Sequence, residues 1–149
     1  LDLYYCHRYD ENTDLEETLR AMSDLVAQGK VLYYGVSEEW GSARIEEAQK
    51  IIDKRGLYPI TVIQPQYNMV DRYIEHEIMG TCRKYGIGIT SFSPAWILKH
   101  PEISCVIAGA SKPSQLENNL KAIDLEIPDD AMERIEKILG FQRFERHVG

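Results

Sequence analysis

The stretch VIAGASKPSQLENN, Val106 to Asn119, changes from strand to helix within a few residues. Cys105-Val106-Ile107-Ala108 is an apolar run of strand type. Gly109-Ala110-Ser111 breaks it, and Pro113 stands at the first helical position, where its missing N–H costs nothing. A strand that turns through small residues into a new helix presents free N–H groups and a positive dipole end, which together suit an anion. Ser111 adds a hydroxyl and Lys112 a full charge. Gln115, Asn118 and Asn119 follow with amides suited to a purine or a ribose. The plainer reading is a capped βα turn with a polar helix face.

Working back from this stretch, the same strand-to-helix alternation recurs. Leu1–Cys6 is a strand, and Thr13 with Glu16 makes a capping box for a helix to about Gln28, closed by Gly29. Strand Val31–Val36 follows, then a helix capped by Ser42 and stopped by Gly56. Strand Thr61–Gln64 leads to a helix capped by Asp71, running to Lys84 and ended by Gly86. Strand Ile87–Ser91, the strand 103–108 and a last helix, Asp129–Leu139, complete the order. Strands alternating with amphipathic helices predict a parallel sheet covered by helices.

Two architectures fit: an open doubly wound sheet, or part of a (β/α)8 TIM barrel. Polar or aromatic residues stand at every strand's C-terminal end: His7, Ser37, Gln64, Phe92 and Ser111. In a barrel those ends converge on one site, which favours the barrel. Residues 1–149 then form a single domain, about five βα units with a C-terminal helix. The strand at the first residue suggests further chain upstream.

One join is too short. Between the strands ending at Ser91 and beginning near Ile103 there is less chain than a parallel crossover takes. Ala95–His100 reads as the last turns of a longer helix. A segment is therefore expected to be missing between Pro94 and Ala95, with a break in the chain there.

Composition narrows the function classes. At 44% hydrophobic residues the chain can bury a core, and a net charge of −7 disfavours nucleic acid or an anionic membrane as partner. No run approaches transmembrane length, so membrane insertion is not expected. Cys6, Cys82 and Cys105 lack metal-ligand spacing. No metal is expected, and the odd count suggests reduced thiols in the cytoplasm.

Five strings carry a family resemblance: LDLYYCHRYD at the start, GVS at Gly35–Ser37, IQPQYN at Ile63–Asn68, SFSP at Ser91–Pro94, and VIAGASKPSQLENN. Together they resemble the aldo-keto reductases, nearest the branch that includes the β-subunits of voltage-gated potassium channels. The resemblance implies the C-terminal part of a (β/α)8 barrel that uses NADPH to reduce aldehydes or ketones to alcohols. A small carbonyl substrate is the implied partner, and a homo-oligomer is compatible. His7 matches the family's catalytic histidine. Ser37 and Gln64 match contacts to the nicotinamide carboxamide, Phe92 the aromatic stacked on the ring, and Ser93 a pyrophosphate contact. Ser111 and Lys112 match the 2′-phosphate site, and Gln115, Asn118 and Asn119 the adenine side. Tyr9 and Trp40 are candidate walls of the substrate pocket, with ordinary packing as the plainer role.

Departures matter too. The family's catalytic tyrosine, lysine and aspartate, which lie upstream of its fourth strand, have no match in this sequence, so this stretch alone is expected to be inactive. Position 118 is usually Glu, and Glu38-Glu39 follow Ser37 where an Asn is common. The alternative is a regulatory NADPH-binding subunit of channel-β type, or a half-barrel without turnover.

Overall fold

The computed structural model describes residues 1–37, 39–68, 71–91, 94–108 and 110–139. The elements alternate as β1 (Leu3–Cys6), α1 (Leu15–Ala27), β2 (Tyr33–Val36), α2 (Ser42–Arg55), β3 (Val62–Ile63), α3 (Ile78–Tyr85), β4 (Gly88–Ser91), α4 (Pro94–Ile97), β5 (Ile103–Val106), α5 (Pro113–Leu120) and α6 (Asp129–Leu139). The five strands form one parallel sheet in sequence order. It is five strands' worth of a barrel wall.

The two faces of the sheet differ. Tyr34, Val36, Ile63 and Ile89 point toward the helices and pack with Leu19, Ile45, Ala48, Ile78 and Cys82 in one apolar core. Their neighbours point the other way, since side chains alternate along a strand. There Tyr5 on β1 reaches Thr90 on β4, hydroxyl to hydroxyl, at 3.3 Å. Three strand spacings in a flat sheet amount to about 14 Å, beyond the reach of those two side chains. The sheet is therefore curled, with Tyr5 spanning its concave face. Gly35 makes this possible: a Cβ there would lie 2.6 Å from Val62 and 2.8 Å from the Tyr5 ring.

Several expected helix starts are corrected. Thr13 does not cap α1, because its hydroxyl donates to Asp10 Oδ2 at 2.9 Å. Asp14 caps instead, accepting from the Glu16 N–H at 2.7 Å. Ser42 is the first helical residue of α2 rather than its cap, and Gly41 takes the cap position. Asp71 caps nothing. Its carboxylate is buried, and a 3-10 turn, Tyr73–Glu75, precedes the true start of α3 at Ile78. The expected stops hold at Gly56 and Gly86, both left-handed at φ 63° and 67°.

The short join is bridged by α4. Pro94 and Ala95 are the first two residues of α4. A single helical turn carries the chain from β4 to β5, with Trp96 and Ile97 buried against the core. β5 still pairs with β4 in parallel, at the cost of a register shift between Ile89 and Thr90.

Candidate functional site

Parallel registry sets the rim. Cys6 lies opposite Val36, and Val36 opposite Ile63. The next residue of each strand, His7, Ser37 and Gln64, therefore stands on the same C-terminal edge on three adjacent strands. His7 is exposed, Gln64 half-buried and Ser37 buried. The Ser37 hydroxyl donates to the Gln64 carbonyl at 2.7 Å, and the Gln64 N–H donates to the Val36 carbonyl at 2.8 Å. These two bonds tie the ends of β2 and β3. With its proton committed, the Ser37 oxygen faces its surroundings as an acceptor.

Tyr9 and Trp40 flank this edge. Their rings meet edge to face at 6.2 Å, and the Arg44 guanidinium lies 4.2 Å from the Tyr9 ring centre. Tyr9 is half-buried, but Trp40 is only 1% exposed and sits in the core. Sequence reasoning missed Arg8 and Glu39, which pair at 3.4 Å across the loops after β1 and β2. Glu39 takes a left-handed φ of 71°, a strained choice for a residue with a Cβ. No local pattern signals that conformation.

A second group stands where the chain leaves β5, at the same end of the sheet. Ser111 and Lys112 lead into α5, whose first turn holds no acidic residue. The Gln115 side-chain oxygen turns back and accepts from the Ser111 N–H at 2.8 Å, the Ser111 hydroxyl at 3.0 Å and the Lys112 N–H at 3.1 Å. The helix start thus attracts an acceptor oxygen and currently holds the chain's own. Lys112 is exposed and makes no ion pair among the described residues. Asn118 is exposed and takes a hydrogen bond from Lys121 at 3.0 Å, and Asn119 is half-buried. Phe92 and Ser93 lie outside the described residues.

The arrangement offers a polar rim on β1 to β3 and a cationic helix start after β5. An extended ligand with an amide at one end and an anionic group at the other suits both. No helix among the described residues is long and apolar enough to cross a membrane.

Comparison with known proteins follows the same outline. The model of the aldo/keto reductase family matches residues 1–95 and, separately, 93–140. The chain is 28% identical over 187 residues to a probable voltage-gated potassium channel subunit beta of Arabidopsis thaliana, covering 84% of this chain and 57% of that one. It is 27% identical over 210 residues to a putative subunit of the same kind from Schizosaccharomyces pombe, covering 97% and 61%. A probable aldo-keto reductase 1 of Glycine max is 39% identical over 94 residues, 63% of this chain and 25% of that protein. Among solved structures, a thermostable aldo-keto reductase bound to the inhibitor epalrestat superposes with a TM-score of 0.80 at 29% identity, covering 94% of this chain and 60% of that one. The matches to the channel subunits span about three fifths of those relatives' length.

Proposed function

The chain belongs to the aldo/keto reductase family, and from that premise we propose that it is the C-terminal part of an NADPH-dependent reductase of aldehydes or ketones, working in the cytoplasm. The observation that carries the reading is the registry that sets His7, Ser37 and Gln64 side by side at one end of the sheet. When bound, NADPH supplies the hydride. His7 then donates a hydrogen bond to the carbonyl oxygen as that oxygen gains charge. Ser37 accepts from the carboxamide nitrogen of the nicotinamide, and the Gln64 side chain holds the same group. Tyr9 and Trp40 border the substrate. Phe92 and Ser93 serve the ring and the pyrophosphate. Ser111 and Lys112 hold the 2′-phosphate, once Gln115 has turned aside to join Asn118 and Asn119 on the adenine side.

The alternative is an NADPH-binding subunit or half-barrel without turnover. The single-turn crossover at α4 favours it. Both readings require the nucleotide site.

Titration of the 149-residue chain with NADPH and NADH tests that shared requirement. A charge-assisted contact to a phosphate contributes about 1.5–3 kcal/mol, so NADPH should bind roughly 10- to 150-fold tighter. Lys112→Ala should remove most of that preference. Equal affinities for the two nucleotides in the unmodified chain would sink the proposal. Loading the full-length protein, rather than this stretch alone, with NADPH and following its oxidation by a simple aldehyde then separates the two readings, since only a reductase consumes it.

A further inference from the structure

The loops leaving β1 and β2 carry two charged groups that the proposed reaction does not use. Arg8 follows His7, and Glu39 stands two residues after Ser37. Arg8 Nη1 and Glu39 Oε1 pair at 3.4 Å, so this ion pair bridges the two loops just past the rim residues. The Arg8 side chain is 57% exposed and that of Glu39 38%. Aromatic contacts hold the same two loops together. Tyr9 meets Trp40 edge to face, and Arg44 lies over the Tyr9 ring while pairing with Glu47 at 3.1 Å. Arg44 is thus engaged with its own helix, and the cation next to His7 is Arg8.

The Arg8–Glu39 pair is built to give way. Its closest approach, 3.4 Å, exceeds the length of a full charge-assisted bond, about 2.7–2.9 Å. Ion pairs open to water contribute little to stability. Glu39 also reaches Arg8 from a left-handed backbone, φ 71°, which a residue with a Cβ keeps only where its surroundings impose it. A free carboxylate meets a guanidinium through two parallel bonds and needs no such backbone. It therefore competes well with Glu39. Consecutive Cα atoms are about 3.8 Å apart, so His7 and Arg8 suit the two ends of one short molecule.

We infer that Arg8 selects the substrate, which is a short aldehyde or ketone carrying a carboxylate, and that Glu39 is the chain's own stand-in for that carboxylate. The substrate's acid group displaces Glu39 from Arg8 while His7 holds the carbonyl oxygen. In the reduction the carbonyl gains a hydride from NADPH and a proton, leaving NADP⁺ and a hydroxy acid, and the carboxylate is unchanged. The inference rests on the reductase reading above and adds the class of carbonyl compound to it.

The test compares 4-oxobutanoate with its methyl ester in the full-length protein, since the two share a carbonyl and differ in charge. The parent should favour the acid in kcat/KM by roughly tenfold or more, the worth of a charge-assisted contact. Arg8→Gln should lower that acid-to-ester ratio at least tenfold, and Arg8→Lys, which keeps the charge but not the fork, should lower it less. A ratio near one in the parent, or the same ratio in parent and Arg8→Gln, overturns the inference. If neither compound is reduced, the reductase reading fails, and binding still decides the role of Arg8. Calorimetry with 4-hydroxybutanoate, the product of the acid, supplies that measurement. Saturable binding that Arg8→Gln weakens at least tenfold supports the site, and equal binding in both proteins, or none, overturns it. Glu39→Gln removes the internal competitor and should tighten the same binding severalfold. Unchanged affinity in that variant overturns the stand-in role of Glu39.

Discussion

Gly35 shows how one missing side chain sets the shape around it. The Val62 carbonyl oxygen and Cγ1 both lie 2.6 Å from where a Cβ would stand, and the Tyr5 ring lies 2.8 Å away. A backbone atom cannot swing aside, so Gly35→Ala forces β2 from β3 or Tyr5 from the concave face. Overpacking of this kind costs about 1–3 kcal/mol, and urea unfolding should show the loss as a lower midpoint at unchanged slope. Gly80 is the control, because nothing lies within 4 Å of its Cβ position in α3. Alanine there should stabilise by about 0.5–1 kcal/mol. A Gly35 variant as stable as the parent would remove the argument for curvature through this residue. The places of His7, Ser37 and Gln64 at the strand ends were legible because each follows an apolar run, and parallel registry sets them side by side. Gln115 was not legible as the chain's own cap. Its fold-back depends on a side-chain torsion, and the residue type alone allows either direction.

Arg72 works at the scale of elements. Its side chain is 12% exposed and holds Glu75 with two bonds, 2.8 and 2.9 Å long. It also pairs with Glu136 of α6 and lies 5.0 Å from the ring centre of Trp96 in α4. Tyr67 adds a hydroxyl bond to Glu75 at 2.6 Å. The 3-10 turn, α4 and α6 thus meet on one guanidinium. Burial would raise the Glu75 carboxyl, but the hydrogen bonds from Arg72 and Tyr67 outweigh it and hold the group below its ordinary range. A lowered carboxyl pKa contributes stability above the unfolded pKa, near 4.3, and that stability drains away as pH falls through the folded value. Urea midpoints measured from pH 6 down to pH 3 should fall below about pH 4, and Glu75→Gln should flatten that limb while lowering the plateau. Identical acid limbs in both proteins would show that the cluster does not govern acid stability. This cluster also explains a misread boundary. The spacing of Ile74, Ile78 and Cys82 suits one helix from Asp71 onward. The bonds among Asn68, Asp71, Arg72 and Glu75 tighten its opening into a 3-10 turn, and Glu136, one of Arg72's partners, is 64 residues away. By contrast α6 was legible to the residue, because Pro128 and the acidic pair Asp129-Asp130 mark its start locally.

For the whole molecule, the parallel order was legible because strand and helix alternate at nearly constant spacing and no hairpin turn interrupts them. The crossover at α4 broke that spacing, so the irregularity itself was legible in the sequence, whereas the single helical turn that spans it was not. That short connection also bears on how the chain reaches its fold. Leu3 pairs with Tyr33, Gly35 with Val62 and Val62 with Gly88, separations of 30, 27 and 26 residues, whereas Ile89 pairs with Ile103 after only 14. Halving a loop lowers its closure cost by about 0.6 kcal/mol, and non-local closure is what slows the folding of parallel sheets. The β4–β5 ladder should therefore assemble early. Conservative truncations at Ile89 and Ile103 should slow refolding, with φ-values well above those at Tyr34 and Val36. Higher values on β2 would place the nucleus elsewhere. With the early pair in place, β3 and then β2 and β1 add along one open edge, so the sheet grows against the direction in which it is synthesised.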